Sequence, residues 1–122
     1  YQLAVAIDDS LQNITQIVRG YDLHESSFSQ RYIQQTLRLN QPSYAHIPIA
    51  VSHSGEKLCK QHAAKSIATE HPHTVLWHAV PWLNQPPPEQ LKYENLSQLL
   101  QWSFENWDMN KVQHTQSLIS PI

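Results

Sequence analysis

The sequence predicts an α/β region joined to a small α-helical region. Strand-like runs lie only in the first half, an amphipathic helical pattern stands between them, and the second half shows helical spacing with no further strand signal. Residues 1–7 alternate, with Tyr1, Leu3, Val5 and Ile7 on one side and Gln2, Ala4 and Ala6 on the other, which predicts a strand. Asp8-Asp9-Ser10 supplies turn chemistry. Residues 14–19 form a second β-branched run that Gly20 ends. With Ser26 or Ser27 as its cap, a helix is expected over 28–39, with Phe28, Tyr32, Ile33, Thr36 and Leu37 on one face. Asn40-Gln41-Pro42 stops it. Residues 44–51 read as extended and 52–55 as a turn ending in Gly55.

Helical spacing resumes over 74–83, where Pro81 should kink or end the helix. Pro86-Pro87-Pro88 is a stiff spacer. Asn95 is the expected cap of a last helix running to Asn106, burying Leu96, Leu99, Leu100 and Phe104. From Val112 the chain is polar and reads as a loose tail. The expected organisation is a first domain over 1–65 and a helical region over 66–122.

Composition narrows the function. Hydrophobic residues make up 40% of the 122, enough for a core. No apolar run approaches the roughly 20 residues of a membrane span. Cys59 is the single cysteine, so no internal disulfide can form, and a cytoplasmic protein is expected. A net charge of −2 leaves any nucleic-acid contact to a local patch. Because Tyr1 opens the chain inside an alternating segment, a processed or truncated product is expected.

Chemistry concentrates in a few positions. Lys57 and Lys60 follow the Gly55 turn, and two ammonium groups on a mobile loop can follow a triphosphate and neutralise charge that grows as pyrophosphate leaves. By spacing alone the pair also fits a solvated loop. Arg19 ends a β-branched run, where a guanidinium can pair bidentately with a carboxylate, and the Tyr1 phenol can add a hydrogen bond. A surface ion pair and a strand-face aromatic are the ordinary alternatives. His46 fits either a nucleotide pocket or strand packing.

Taken in order, Asp8-Asp9 with Ile14-Thr15, then Val18-Arg19-Gly20-Tyr21-Asp22-Leu23, Tyr44-Ala45-His46-Ile47-Pro48-Ile49, and Lys57-Leu58-Cys59-Lys60-Gln61 resemble the second half of a class I glutamyl-tRNA-synthetase-like catalytic domain. The last segment resembles the KMSKS loop in the variant with leucine second, and the Arg19–Asp22 stretch resembles the family's R-G-x-D strand end. The resemblance implies the C-terminal half of a Rossmann-type domain, with Tyr1 and Arg19 contacting L-glutamate and Lys57 and Lys60 catalytic. Lys60, Lys57 and His46 would stand against ATP, with Mg2+ accompanying it. Cys59 departs from the usual loop serine and is a poorer hydrogen-bond donor. Discriminating glutamyl-tRNA synthetases usually carry R-G-E-D-H and a long anticodon-reading region. Tyr21 and Leu23, and the short stretch after Lys60, instead resemble the glutamyl-Q tRNA(Asp) synthetases, which esterify glutamate onto the queuosine base of tRNA(Asp).

No HIGH signature occurs in these 122 residues. The resemblance therefore implies a chain that is inactive alone, whose partner is an N-terminal half carrying that motif and the family's zinc site. A fragment charging tRNA(Glu), or a non-catalytic nucleotide- or tRNA-binding module, are the competing readings. His71-Pro72-His73 and His78 could suggest a metal, but two histidines on a short loop with no third ligand at fixed spacing read as exposed, so no metal site is expected. His24-Glu25 lacks the second histidine of a zinc-protease motif. Trp77, Trp82, Trp102 and Trp107 fit core packing, or burial against the expected N-terminal half, better than base stacking.

Overall fold

A computed structural model describes residues 1–59, 66, 67 and 70–121. The chain divides into two compact units, Tyr1–Ile49 and Ala50–Ile122. The first contains α1 (Gln2–Leu11), β1 (Gln16–Gly20), a 3-10 turn (Tyr21–Leu23), α2 (His24–Thr36) and β2 (Ser43–Ile47). Strands β1 and β2 pair in parallel, with Arg19 opposite His46 and Gly20 opposite Ile47. The intervening α2 makes this a β-α-β unit, which puts the C-terminal ends of both strands on one edge. The mixed helix and strand content agrees with the expected α/β class.

The opening segment is a helix, not the strand that its alternation predicts. A seven-residue window cannot separate period two from period 3.6 when apolar residues are dense. Gln2, Val5, Ala6 and Asp9 share a helical stripe, and Ala6, fully buried, lets α1 approach α2 closely. The stripe includes Gln2 and Asp9, so hydrophobicity alone does not reveal it.

Helix α2 is inverted relative to expectation. It starts at His24 directly from the 3-10 turn, with no side-chain cap, so Ser26 and Ser27 lie inside it. Its buried positions are Ser27, Gln30 and Gln34, while Phe28 and Tyr32 are 62% and 70% exposed. Hydrogen bonding explains the inversion: Ser27, Gln30 and Gln34 each reach a partner on a neighbouring element, which removes much of the desolvation penalty, although Gln34 Oε1 has no partner. Gln34, for example, donates through Nε2 to the Tyr44 hydroxyl at 3.1 Å.

The second unit contains α3 (Pro72–Trp82), a 3-10 turn (Glu89–Tyr93), α4 (Leu96–Asn106), a second 3-10 turn (Met109–Lys111) and β4 (Ser117–Ile119), which pairs with β3 (Ile49–Val51). Asn95 caps α4 as expected, closing a reciprocal pair with Gln98 at 3.0 and 3.2 Å. Val51, Val80, Leu99 and Val112 form the buried apolar set. The segment expected to be a loose tail is tied down instead. Val112 is buried, Ser120 N donates to Val51 O at 2.8 Å, and the Trp82 indole donates to Ile119 O at 2.6 Å. Gln85 clamps Asp108, donating to its carbonyl and accepting from its amide. Backbone partners of this kind leave no trace in a polar sequence. Among the described residues no helix is long and apolar enough to cross a membrane.

Helices α1, α2 and α3 end alike. Asn13, Arg38 and Asn84 take positive φ of 54°, 55° and 61°. In each case the next amide bonds back five residues, as Ile14 N to Asp9 O, Leu39 N to Gln34 O and Gln85 N to Val80 O. These are Schellman terminations, normally closed by glycine. Asparagine tolerates the left-handed region, whereas a long side chain such as Arg38 is strained there. Replacing Arg38→Gly should raise stability by roughly 0.5–1 kcal/mol, read as an increased urea midpoint with unchanged slope.

Candidate functional site

The edge formed by the C-terminal ends of β1 and β2 gathers most of the first unit's polar chemistry. Arg19 leaves β1 beside α2 and donates through Nη1 to Gln30 Oε1 at 3.0 Å and through Nη2 to Ser27 Oγ at 2.6 Å. Its guanidinium carbon stands 5.1 Å from the centroid of the Tyr44 ring, a cation–π distance. Its Nε is buried with no hydrogen-bond acceptor. Both hydrogen-bond partners are neutral, so they fix the guanidinium without cancelling its charge. Gln30 is fully buried, and its amide donates to Gln2 Oε1 at 2.8 Å, while Gln2 Nε2 donates to Ser26 Oγ at 3.1 Å. Tyr1 stands at the start of α1, 75% exposed, its carbonyl accepting the first-turn bond from Val5. Arg19 and Tyr1 are thus joined through Gln30 and Gln2, although Tyr1 itself holds its phenol outside this network.

His46, across the sheet from Arg19, places Nε2 2.9 Å from Ser27 Oγ. It lies edge-on to His24, ring centroids 5.0 Å apart, and His24 stacks on Tyr21 at 4.8 Å. Gly20 sits where there is little room for a side chain. A Cβ would stand 2.6 Å from Asp22 Oδ1 and 3.2 Å from Ile49 Cγ2, and this close approach links the first and last residues of the Gly20-Tyr21-Asp22 motif. Gln30, Ser27 and His24 escape a motif-based reading. Their signal is the uncharged polar spacing Ser27, Gln30, Gln34 on one helical face.

Lys57 belongs to the second unit. It does not sit on a free loop. It bridges Val51 in antiparallel fashion, Leu58 N donates to Ala50 O at 3.0 Å, and Ser52 N donates to Glu56 O at 2.8 Å. Gly55, at φ 84°, turns this hairpin, and Ser52 Oγ accepts from Glu56 N at 3.1 Å. The Lys57 residue is exposed at the arm's end. Lys60, the other expected lysine, lies outside the described residues, as does Gln61. Cys59 is half-buried and not in a disulfide.

The expected exposure of the two loop histidines, His71 and His73, is corrected at His73, which is buried in α3 with Nε2 3.0 Å from Leu91 O and its ring parallel to Trp77. Its role is to join α3 to the 3-10 turn at 89–93. Among the described residues no group of three or more His, Cys, Asp or Glu is arranged to hold a metal.

Burial, then the Arg19 charge, then His24, push the His46 pKa below its ordinary 6.5. Between that lowered value and 6.5 the unfolded chain binds the extra proton, so stability rises with pH through this window. The contribution is complete above 6.5 and is lost as pH falls through the lowered folded value. Urea midpoints measured from pH 5 to about 7.5 should show this slope in the parent protein and a flatter profile in His46→Gln.

Residues 1–76 match the family described as tRNA synthetases class I (E and Q), catalytic domain. Among curated relatives, the glutamyl-Q tRNA(Asp) synthetase of Pectobacterium atrosepticum is 44% identical over 112 residues, covering 92% of this chain and 35% of that protein. Its counterpart from Pseudomonas aeruginosa is 39% identical over 118 residues, covering 97% and 40%. That of Vibrio parahaemolyticus is 38% identical over 112 residues, covering 92% and 38%. The chain thus spans about two-fifths of the length of these relatives. With more than half of its residues matched, and with Arg19, Gly20 and Asp22 set at the end of a parallel strand, the chain belongs to the class I (E and Q) tRNA synthetase catalytic-domain family.

Proposed function

We propose that this chain forms the C-terminal half of a Rossmann-type catalytic domain that activates L-glutamate with ATP and transfers it to the queuosine base of tRNA(Asp). The observation that carries the reading is the Arg19 guanidinium, held at a strand end by two neutral side chains and so able to receive an anionic ligand. Relatives named glutamyl-Q tRNA(Asp) synthetase, similar across nearly the whole chain, support the choice within the family. In this reading Tyr1 and Arg19 hold glutamate. Lys57 and Lys60 act on the ATP phosphates, with His46 at the nucleotide side. The active site is completed by sequence carrying the HIGH signature.

The chemistry runs in two balanced steps. A glutamate carboxylate oxygen bonds to the α-phosphorus of ATP, the bond to the bridging oxygen breaks, and pyrophosphate leaves with its electron pair. A hydroxyl of the queuosine base then attacks the acyl carbon, loses its proton, and AMP departs. Lysine ammonium groups near the phosphates would stabilise charge gathered on the departing pyrophosphate. Mg2+ bound to the phosphates would share that charge, and no residue described here is assigned to hold it.

The test uses the full-length protein. Glutamate-dependent exchange of pyrophosphate into ATP should proceed without tRNA, and Lys60→Ala should slow it by about a hundredfold. Unchanged exchange in that variant would remove the loop assignment. Glutamylation of queuosine-containing tRNA(Asp), and not of tRNA(Glu), is expected in the transfer assay. The opposite preference would assign the chain to the discriminating enzymes.

A further inference from the structure

We infer that Gln30 and Ser27 are positioning residues for the substrate carboxylate, with Gln30 the single group that ties Arg19 to the helix turn carrying Tyr1. This rests on the reading of Tyr1 and Arg19 as glutamate contacts. Gln30 has no solvent exposure, yet α2 leaves Phe28 and Tyr32 largely outside. Apolar burial would stabilise the helix more simply, since a buried amide gains little unless every polar atom finds a partner. Here both ends find one, on different elements: Oε1 accepts from Arg19 on β1, and Nε2 donates to Gln2 on α1. Ser27, one turn earlier on the same face, takes the second terminal nitrogen of Arg19.

The charge pattern indicates what this arrangement is for. A guanidinium has five N–H groups, and one from each terminal nitrogen is taken, so each terminal nitrogen keeps one for a ligand. Glutamate at position 30 would be nearly isosteric and would bond Arg19 more strongly, but it would fill the guanidinium with an internal ion pair. Glutamine fixes the same geometry and leaves the charge for the substrate. A long side chain already ordered before binding loses less freedom when the ligand arrives. Gln2 carries the order onward, because its backbone is the first residue of α1 and follows Tyr1 directly.

The experiment measures pyrophosphate exchange and thermal unfolding in the full-length protein for Arg19→Ala, Gln30→Glu, Ser27→Ala and Ser27→Thr. Gln30→Glu should raise the KM for glutamate about tenfold without lowering the unfolding temperature, the change falling on glutamate and not on ATP. Ser27→Ala should raise the same KM several-fold, and Ser27→Thr should restore what it loses. A purely structural role predicts lowered unfolding temperature with the glutamate KM unmoved, and that result would overturn the inference. If Gln30→Glu fails to fold, the Ser27 pair decides by the same criterion. Should Arg19→Ala raise the glutamate KM while the Gln30 and Ser27 variants do not, this inference falls and the proposed function stands. Should Arg19→Ala leave it unchanged, the glutamate-contact reading falls, and the positioning roles with it.

Discussion

A guanidinium drawn in beside a strand end needs hydrogen-bond partners, and the first unit is organised around supplying them to the two terminal nitrogens of Arg19. Helix α2 turns Ser27 and Gln30 inward to reach it, at the expense of exposing Phe28 and Tyr32. Helix α1 then has a reason to lie on α2, because the Gln30 amide needs an acceptor and Gln2 supplies one. Tyr44 closes the other side, its ring facing the guanidinium and its hydroxyl taking the Gln34 amide. Few side chains in this unit are both apolar and fully buried, so specific hydrogen bonds carry much of its definition.

That dependence explains how far the sequence could be read. The β-branched run before Gly20, the extended segment around Tyr44 and the Asn95 cap each rest on local chemistry, and each appears where local chemistry puts it. Helix α1 was hidden because its buried stripe contains Gln2 and Asp9, and a hydrophobic pattern weighs those residues as surface. The face of α2 was misassigned for the same reason: Phe28 and Tyr32 outweigh Ser27 and Gln30 on any apolar scale, whereas a half-buried arginine beside the helix reverses the preference. The tail after Val112 is held by bonds to backbone groups about 70 positions away, as Ser120 to Val51, which no local pattern records.

The candidate site divides along similar lines. Arg19, Gly20 and Asp22 were legible as a motif, and the structure adds that the Asp22 carboxylate packs close against Gly20. Lys57 was legible as a charge but not as part of a hairpin, because antiparallel pairing with Val51 depends on the geometry of the Gly55 turn. Ser27, Gln30 and His24 carry no motif of their own. They are found only once the helix places them against Arg19 and His46.

The pairing of β3 with β4 also bears on how the protein reaches this state. In the first unit the parallel strand partners, such as Gln16 and Ser43, all share one separation, spanned by a 3-10 turn, α2 and its connection to β2. In the second, Ser120 must find Val51 across a much longer stretch of chain. Closing the longer loop costs about 0.8 kcal/mol more in chain entropy, and the cost falls due before the contacts that offset it are made. The first unit, with nearer partners, is therefore the faster to form, and the arginine site is assembled while β3 still awaits the far end of the chain.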